Sequence, residues 1–325
     1  MIIDVFCHHI PPQIIEKVHN ARIGWEQNPY YKHGPKKFGC PVQNADPEVR
    51  LGLMDKYGVD IQAISLTTEV LYGFSADEAA DMCKISNDAN YKLCKAYPDR
   101  FVNISAISLL DVQSGLKELS RSVNELDCRA AIVATNQDGK GLDSPEYYPF
   151  YEKLVEQDLP LLLHPTFWKS YPLAEEDQWT VMSRYGWPFD STVAVWRLIF
   201  GGVLDRFPTL KIVMHHLGAL FPYFQGRIES GLMKLDQKPP KPMAEYWKNI
   251  YGDSAVSAGP PEVYACGYGF FGPDRVVYGS DYPFGAQAGE KHIGGNLTGL
   301  KSLKIPAGDM EKVLGGNAKR LLKIA

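Results

Sequence analysis

Residues 211–227 read KIVMHHLGALFPYFQGR. A short apolar run (Ile212, Val213, Met214) meets two histidines, turns through Gly218 and leaves past Pro222 into a segment carrying Arg227. Polar side chains placed where a buried strand runs out occupy the usual position for chemistry in α/β proteins. Taken alone, the two histidines fit equally well as hydrogen-bonded core residues.

The same grammar repeats on either side. β-rich apolar runs fall at 2–7, 61–67, 101–107, 130–135, 159–163, 211–214, 250–256 and 276–279. Segments of helical period lie between them, at 47–56, 76–96, 112–125, 147–156, 191–205 and 261–265. The runs lack strict apolar/polar alternation, as strands covered on both faces do. Parallel strands need crossover connections, so eight such units predict a (β/α)8 barrel as one domain over residues 1–325. Two stretches exceed a bare barrel. Residues 12–45, rich in aromatics, Gly, Pro and Lys, are expected to form a small insertion over the barrel mouth after strand 1. Residues 166–190 carry Trp168, Tyr171, Trp179, Tyr185 and Trp187, and read as a substrate wall or a packed loop.

The bulk numbers narrow the classes. A chain of 325 residues with 45% hydrophobic and 22% charged residues is an ordinary globular protein. Its net charge of −4 gives no electrostatic case for nucleic acid or an anionic membrane surface. No apolar run approaches the ~18 residues a membrane helix needs, and MIIDVFCHHIPP lacks the basic start of a signal peptide. Six cysteines without CxxC spacing read as reduced thiols, and a cytoplasmic enzyme is the expectation.

Four strand ends carry ionisable groups. The first ends on Asp4-Val5-Phe6-Cys7-His8, the fifth on His164-Pro165, the sixth on His215-His216, and the eighth on Gly279-Ser280-Asp281-Tyr282-Pro283-Phe284. Alternate residues of a strand share a face, so Phe6 and His8 should point the same way and Cys7 the other. In a barrel these ends converge on one mouth, which is where a site would form. No G-x-G-x-x-G follows a strand and no lysine stands at a strand end, so nothing signals an organic cofactor.

The chain resembles the amidohydrolase-related superfamily, in the branch of aminocarboxymuconate-semialdehyde decarboxylase and the nonoxidative aromatic-acid decarboxylases. The resemblance runs from IDVFCHHIPP through DPEVRLGLMDKYGVDIQAIS, YPDRFVNISAI, LLLHPTFW, GGVLDRFPTLKIVMHHLGALFPYFQGRI and VVYGSDYPFG to GGNAKRLLKI. It implies one divalent metal ion, usually zinc with manganese possible, at the barrel mouth. By position its ligands are His8, His164 and Asp281. The family's first-strand motif is H-x-H, and its first histidine falls on Phe6, which cannot ligate. Three ligands still suffice for Zn²⁺ or Mn²⁺. The family's spacing to the glycine turn selects His216 as the acid/base residue and leaves His215 in the barrel wall, with Asp281 sharing the catalytic role. Arg227 matches an arginine that reaches a substrate carboxylate across a dimer interface, where a guanidinium fork fits a carboxylate. Phe6 and Trp168 would line the substrate. Arg50 reads as structural and far from the mouth, Asp4 as a strand anchor, and His9 as structural.

The function implied is metal-dependent nonoxidative decarboxylation of a small unsaturated or aromatic carboxylic acid by a homodimer or higher homo-oligomer. The same site would serve hydrolysis or hydration, and a relative that lost its metal along with the first ligand would be non-catalytic.

Overall fold

The computed structural model describes residues 1–20, 46–166, 182–232, 236 and 238–324. Eight strands run in chain order around one sheet: β1 (Ile3–His8), β2 (Ile61–Ser65), β3 (Phe101–Ala106), β4 (Ala130–Ala134), β5 (Leu161–His164), β6 (Ile212–Met214), β7 (Ile250–Asp253) and β8 (Val276–Val277). All seven ladders between neighbours are parallel. The seam between β8 and β1 is joined by the amide of Val5 donating to Tyr278 O (2.9 Å), that of Asp281 to Phe6 O (2.8 Å) and that of His8 to Tyr282 O (2.6 Å). This is the (β/α)8 barrel expected from the sequence, and every apolar run named above contains one strand.

The helices form where local chemistry supports them. In α1 (Pro12–Asn20), Ile14, Ile15 and Val18 are buried against Val70, Leu71 and Met82. Asp46 caps α2 (Pro47–Tyr57) through the amide of Glu48, and Gly58 ends it in the left-handed region at φ +69°. Ser75 and Glu78 make a reciprocal capping box at the start of α3 (Ala76–Ala96). Asp111 caps α4 (Val112–Glu125). There follow α5 (Tyr148–Glu156), α6 (Trp187–Phe200), α7 (Phe221–Leu232), α8 (Pro261–Phe271) and α9 (Glu290–Lys301).

Three differences from the sequence reading have local causes. The segment expected at 191–205 splits, because Gly202 at φ +78° separates α6 from the short helix Val203–Arg206. The helix expected at 261–265 continues to Phe271, since the glycines within it do not break it. The stretch after strand 1 begins as the helix α1. The rest of the expected insertion (21–45) and the aromatic loop with Trp168, Tyr171 and Trp179 lie outside the described residues.

Ala63, Ile104, Ile132, Leu162, Val213 and Val277 fill the barrel interior with no solvent exposure. The opposite strand faces pack against the helices through Ile64, Val133, Leu161, Leu163, Ile212 and Met214. Among the described residues no helix is long and apolar enough to cross a membrane, and Cys7, Cys83, Cys94, Cys128 and Cys266 are free thiols. Truncating Leu162 to alanine leaves a cavity the closed sheet cannot collapse. Leu162→Ala is expected to lose about 2–5 kcal/mol of unfolding free energy, read from the shift in a urea denaturation midpoint.

Candidate active site at the carboxyl end of the barrel

The site begins with an irregularity in β1. Asp4 pairs with Gln62 and Cys7 with Ile64, so the register slips by one residue between them. A bulge places two successive residues on one side and re-aims those beyond it. Val5 and Phe6 accordingly both join the interior cluster. Beyond the slip, Phe6 and His8 face the mouth together, with ring centroids 5.6 Å apart. Cys7 faces the helices, its thiol donating to Ala63 O (3.4 Å).

His8, His164 and Asp281 each offer a ligand atom, and these atoms all lie within 4.8 Å of one another. The hydrogen bonds decide which imidazole nitrogens are free. Ser65 Oγ donates to Cys7 O (3.2 Å), so toward His8 Nδ1 (3.3 Å) it accepts, and Nδ1 carries the proton. His164 Nδ1 donates to Pro165 O (2.8 Å). Both Nε2 lone pairs therefore point inward. Among the described residues, His8 Nε2 is a buried atom without a hydrogen-bond partner, 3.3 Å from Asp281 Oδ1, and His164 Nε2 meets the Thr67 hydroxyl (3.1 Å). Burial, with the charge of Arg50 behind it, lowers His8 to about 3. Burial and His8 also push His164 well below its ordinary value. Neutral imidazole is the ligating form. Two outward-anchored imidazoles, one of them with an orphaned Nε2, and a carboxylate fit a divalent cation.

His215 departs from the sequence reading. It does not sit in the barrel wall. Strand alternation carries the inward direction of Val213 to His215, whose ring stacks on Phe6 at 3.9 Å and 14°. Its Nδ1 bonds Asp253 Oδ2 (2.8 Å), at the end of β7, and its Nε2 lies 3.7 Å from Asp281 Oδ1. Asp253 is itself fixed, because Oδ1 accepts from the amide of Ala255 (2.8 Å). Burial drives His215 down and Asp253 up. His216 enters the turn in the left-handed region at φ +59°, its ring 3.9 Å from that of His215 and its Nδ1 buried without a partner.

A polar bracket behind the sheet holds these groups. Asp4, without solvent exposure, accepts from Ser280 N (2.9 Å), Ser280 Oγ (2.6 Å) and Gln62 Nε2 (2.9 Å). Arg50 Nη1 donates to Gln62 Oε1 (2.9 Å), Arg50 Nη2 donates to the carbonyl of His8, and the guanidinium lies 4.5 Å over the ring of Tyr282. Arg50 is thus buried directly behind the first ligand, although the sequence placed it far from the mouth. His9 Nδ1 bonds Asn90 Oδ1 (2.7 Å), outside the ligand set.

Sequence reasoning missed three groups. Asp253 had a signal, an acid closing the seventh strand. Glu69, in LTTEVL after the second strand, is buried at the mouth. His292, from α9, brings Nδ1 within 3.9 Å of Asp281 Oδ2, and nothing in its spacing announced it. Arg227 lies exposed on α7, beside Tyr223 (80% exposed) and Phe224. Trp168 lies outside the described residues.

The profile of the amidohydrolase family (Amidohydro_2) matches residues 5–324. The 2-amino-3-carboxymuconate-6-semialdehyde decarboxylase of Dictyostelium discoideum is 30% identical over 284 residues, spanning 85% of this chain and 76% of that protein. The gamma-resorcylate decarboxylase of Rhizobium radiobacter is 26% identical over 294 residues, spanning 85% and 87%. The crystal structure of 5-carboxyvanillate decarboxylase from Novosphingobium aromaticivorans, complexed with manganese and 4-hydroxy-3-methoxy-5-nitrobenzoic acid, superposes with a TM-score of 0.83. It is 23% identical and covers 100% of this chain and 96% of its own.

Burial lifts Asp281 to about 6, against the opposing pull of His215 and His292. A cation must displace that proton below this pH and need not above it. Apparent Mn²⁺ affinity, titrated against a chelator, is expected to be flat above pH 6 and to fall about tenfold per unit below it.

Proposed function

The chain belongs to the amidohydrolase family, and from that premise we propose that it is a metal-dependent nonoxidative decarboxylase, a carboxy-lyase, acting on a small unsaturated or aromatic carboxylic acid. One observation carries the reading: three ligand atoms within 4.8 Å at the barrel mouth, with an aspartate-held histidine beside them. The decarboxylase names of the relatives support it.

His8, His164 and Asp281 would hold the cation. Imidazole and carboxylate donors suit zinc, our first expectation, and manganese, which the neighbouring decarboxylase binds. A divalent cation bound there supplies Lewis acidity to the substrate's carboxylate. Everything else falls to the protein. His215 Nε2 faces the site while Nδ1 is committed to Asp253, so the ring can take a proton at Nε2 only; burial opposes its charging, and the hydrogen bond to Asp253 offsets part of that cost. That proton passes to the carbon bearing the carboxylate. The bond to the carboxyl carbon then breaks, its electron pair stays with the protonated carbon skeleton, and CO₂ leaves neutral. His215 is left as neutral imidazole, to be reprotonated from solvent. Phe6 covers one face of His215 and supplies an apolar wall for an unsaturated substrate. His216, the residue the sequence pattern selects, lies against His215 and is the neighbouring acid/base group.

Arg227 completes the proposal from outside. Its position on α7, exposed beside Tyr223 and Phe224, supports a homodimer in which it reaches the substrate carboxylate of the partner's site.

The reading is tested by CO₂ release from hydroxybenzoates and muconate-like acids, with elemental analysis to identify the cation. His215→Ala is expected to lower kcat about 10²–10⁴-fold while bound metal is retained. Full activity in His215→Ala with loss in His216→Ala would return the role to His216. Sedimentation should give a dimer, and Arg227→Ala should raise KM about tenfold, a carboxylate pair being worth about 1.5–3 kcal/mol. A monomer at working concentration removes Arg227 from the site.

A further inference from the structure

Where β2 leaves the barrel, three polar side chains follow one another on the turn that enters the 3-10 helix Thr68–Leu71. Thr67 bonds His164 Nε2. Thr68 Oγ1 is buried without a hydrogen-bond partner. Glu69 is 6% exposed, and no donor among the described residues reaches its carboxyl. Its neighbours Leu66, Val70 and Leu71 belong to the apolar interior. An aliphatic residue would serve the packing here, and an unpartnered buried carboxyl costs stability. Such violations concentrate where a protein meets its ligand. The charge acting on Glu69 is that of Asp281, so the two carboxyls share the mouth. The buried guanidinium near the site, Arg50, is committed to Gln62 and the His8 carbonyl.

We propose that Glu69 is a specificity-determining residue whose carboxyl hydrogen-bonds a hydroxyl substituent on the substrate. A hydroxyl suits the carboxyl in either protonation state. It donates to the ionised form, and it both donates to and accepts from the acid. Burial and, after it, the charge of Asp281 raise Glu69, to about 8. This step rests on the carboxylic-acid reading above.

The test is equilibrium binding, by calorimetry on the manganese-loaded full chain, of benzoate, the three monohydroxybenzoates and the corresponding aminobenzoates. The wild-type protein is expected to bind at least one hydroxybenzoate about tenfold or more tightly than benzoate, the effect of one buried hydrogen bond. In Glu69→Ala that advantage should fall below about threefold while benzoate affinity holds, and Glu69→Gln, which keeps a donor and an acceptor, should restore most of it. Retained benzoate binding reports a folded site, and Glu69→Leu replaces the alanine variant should the latter not fold. A hydroxyl advantage that survives in Glu69→Ala overturns the proposal, as does a larger advantage for the aminobenzoates, whose neutral aryl amines offer a donor other than hydroxyl. Binding of none of the acids overturns it together with the reading it rests on. A Glu69-dependent advantage without CO₂ release leaves Glu69 assigned and removes decarboxylation, whereas CO₂ release with an advantage indifferent to Glu69 does the reverse.

Discussion

Asp4 is a carboxyl with no contact to solvent, and two of the three hydrogen bonds it accepts hold Ser280, the residue before Asp281. The third comes from Gln62, which also receives Arg50, and Arg50 in turn holds the carbonyl of His8. One buried bracket thus fixes the backbone under two of the three cation-facing side chains. It does so at the seam between the first and last strands. A fully satisfied buried network is rigid, and a half-satisfied one is worse than none. Burial nonetheless lifts Asp4 to about 7, so desolvation of this carboxyl works against the donors that hold it.

Phe6 changes the character of the centre. A ring without a lone pair sits among His8, His164 and His215, within 3.9–5.9 Å of each. Burial, to which this ring contributes, is the largest influence lowering all three imidazoles. A neutral imidazole leaves a nitrogen lone pair available to a cation or to a proton.

The barrel was legible because its strands lie in short apolar runs separated by periodic helical segments, a pattern that needs no tertiary information. The convergence of His8, His164 and Asp281 was legible for a similar reason, since each stands at or just past a strand end. The inward side of His215 was also legible, from strand alternation, although the family spacing selects its neighbour His216. The rest depended on geometry that sequence does not carry. Arg50 is distant from His8 in sequence, yet its long side chain crosses behind β1 to the ligand's carbonyl. Glu69 and His292 reach the mouth from a turn and a helix whose orientation is set by packing. The bulge in β1 leaves no mark in IDVFCH, because only the pairing with β2 reveals it.

The three cation-facing residues come from the first, fifth and last strands, and the contact between Asp4 and Ser280 spans 276 positions. Local chelation during synthesis is therefore impossible: His8 emerges early and waits for nearly the whole polypeptide before Asp281 exists to join it. Long-range closure of this kind is slow, and it rewards the chain only once complete. Loading with a transition ion then reports assembly itself, because a nascent chain that carries His8 and His164 lacks both Asp281 and the shape that makes the three a trap.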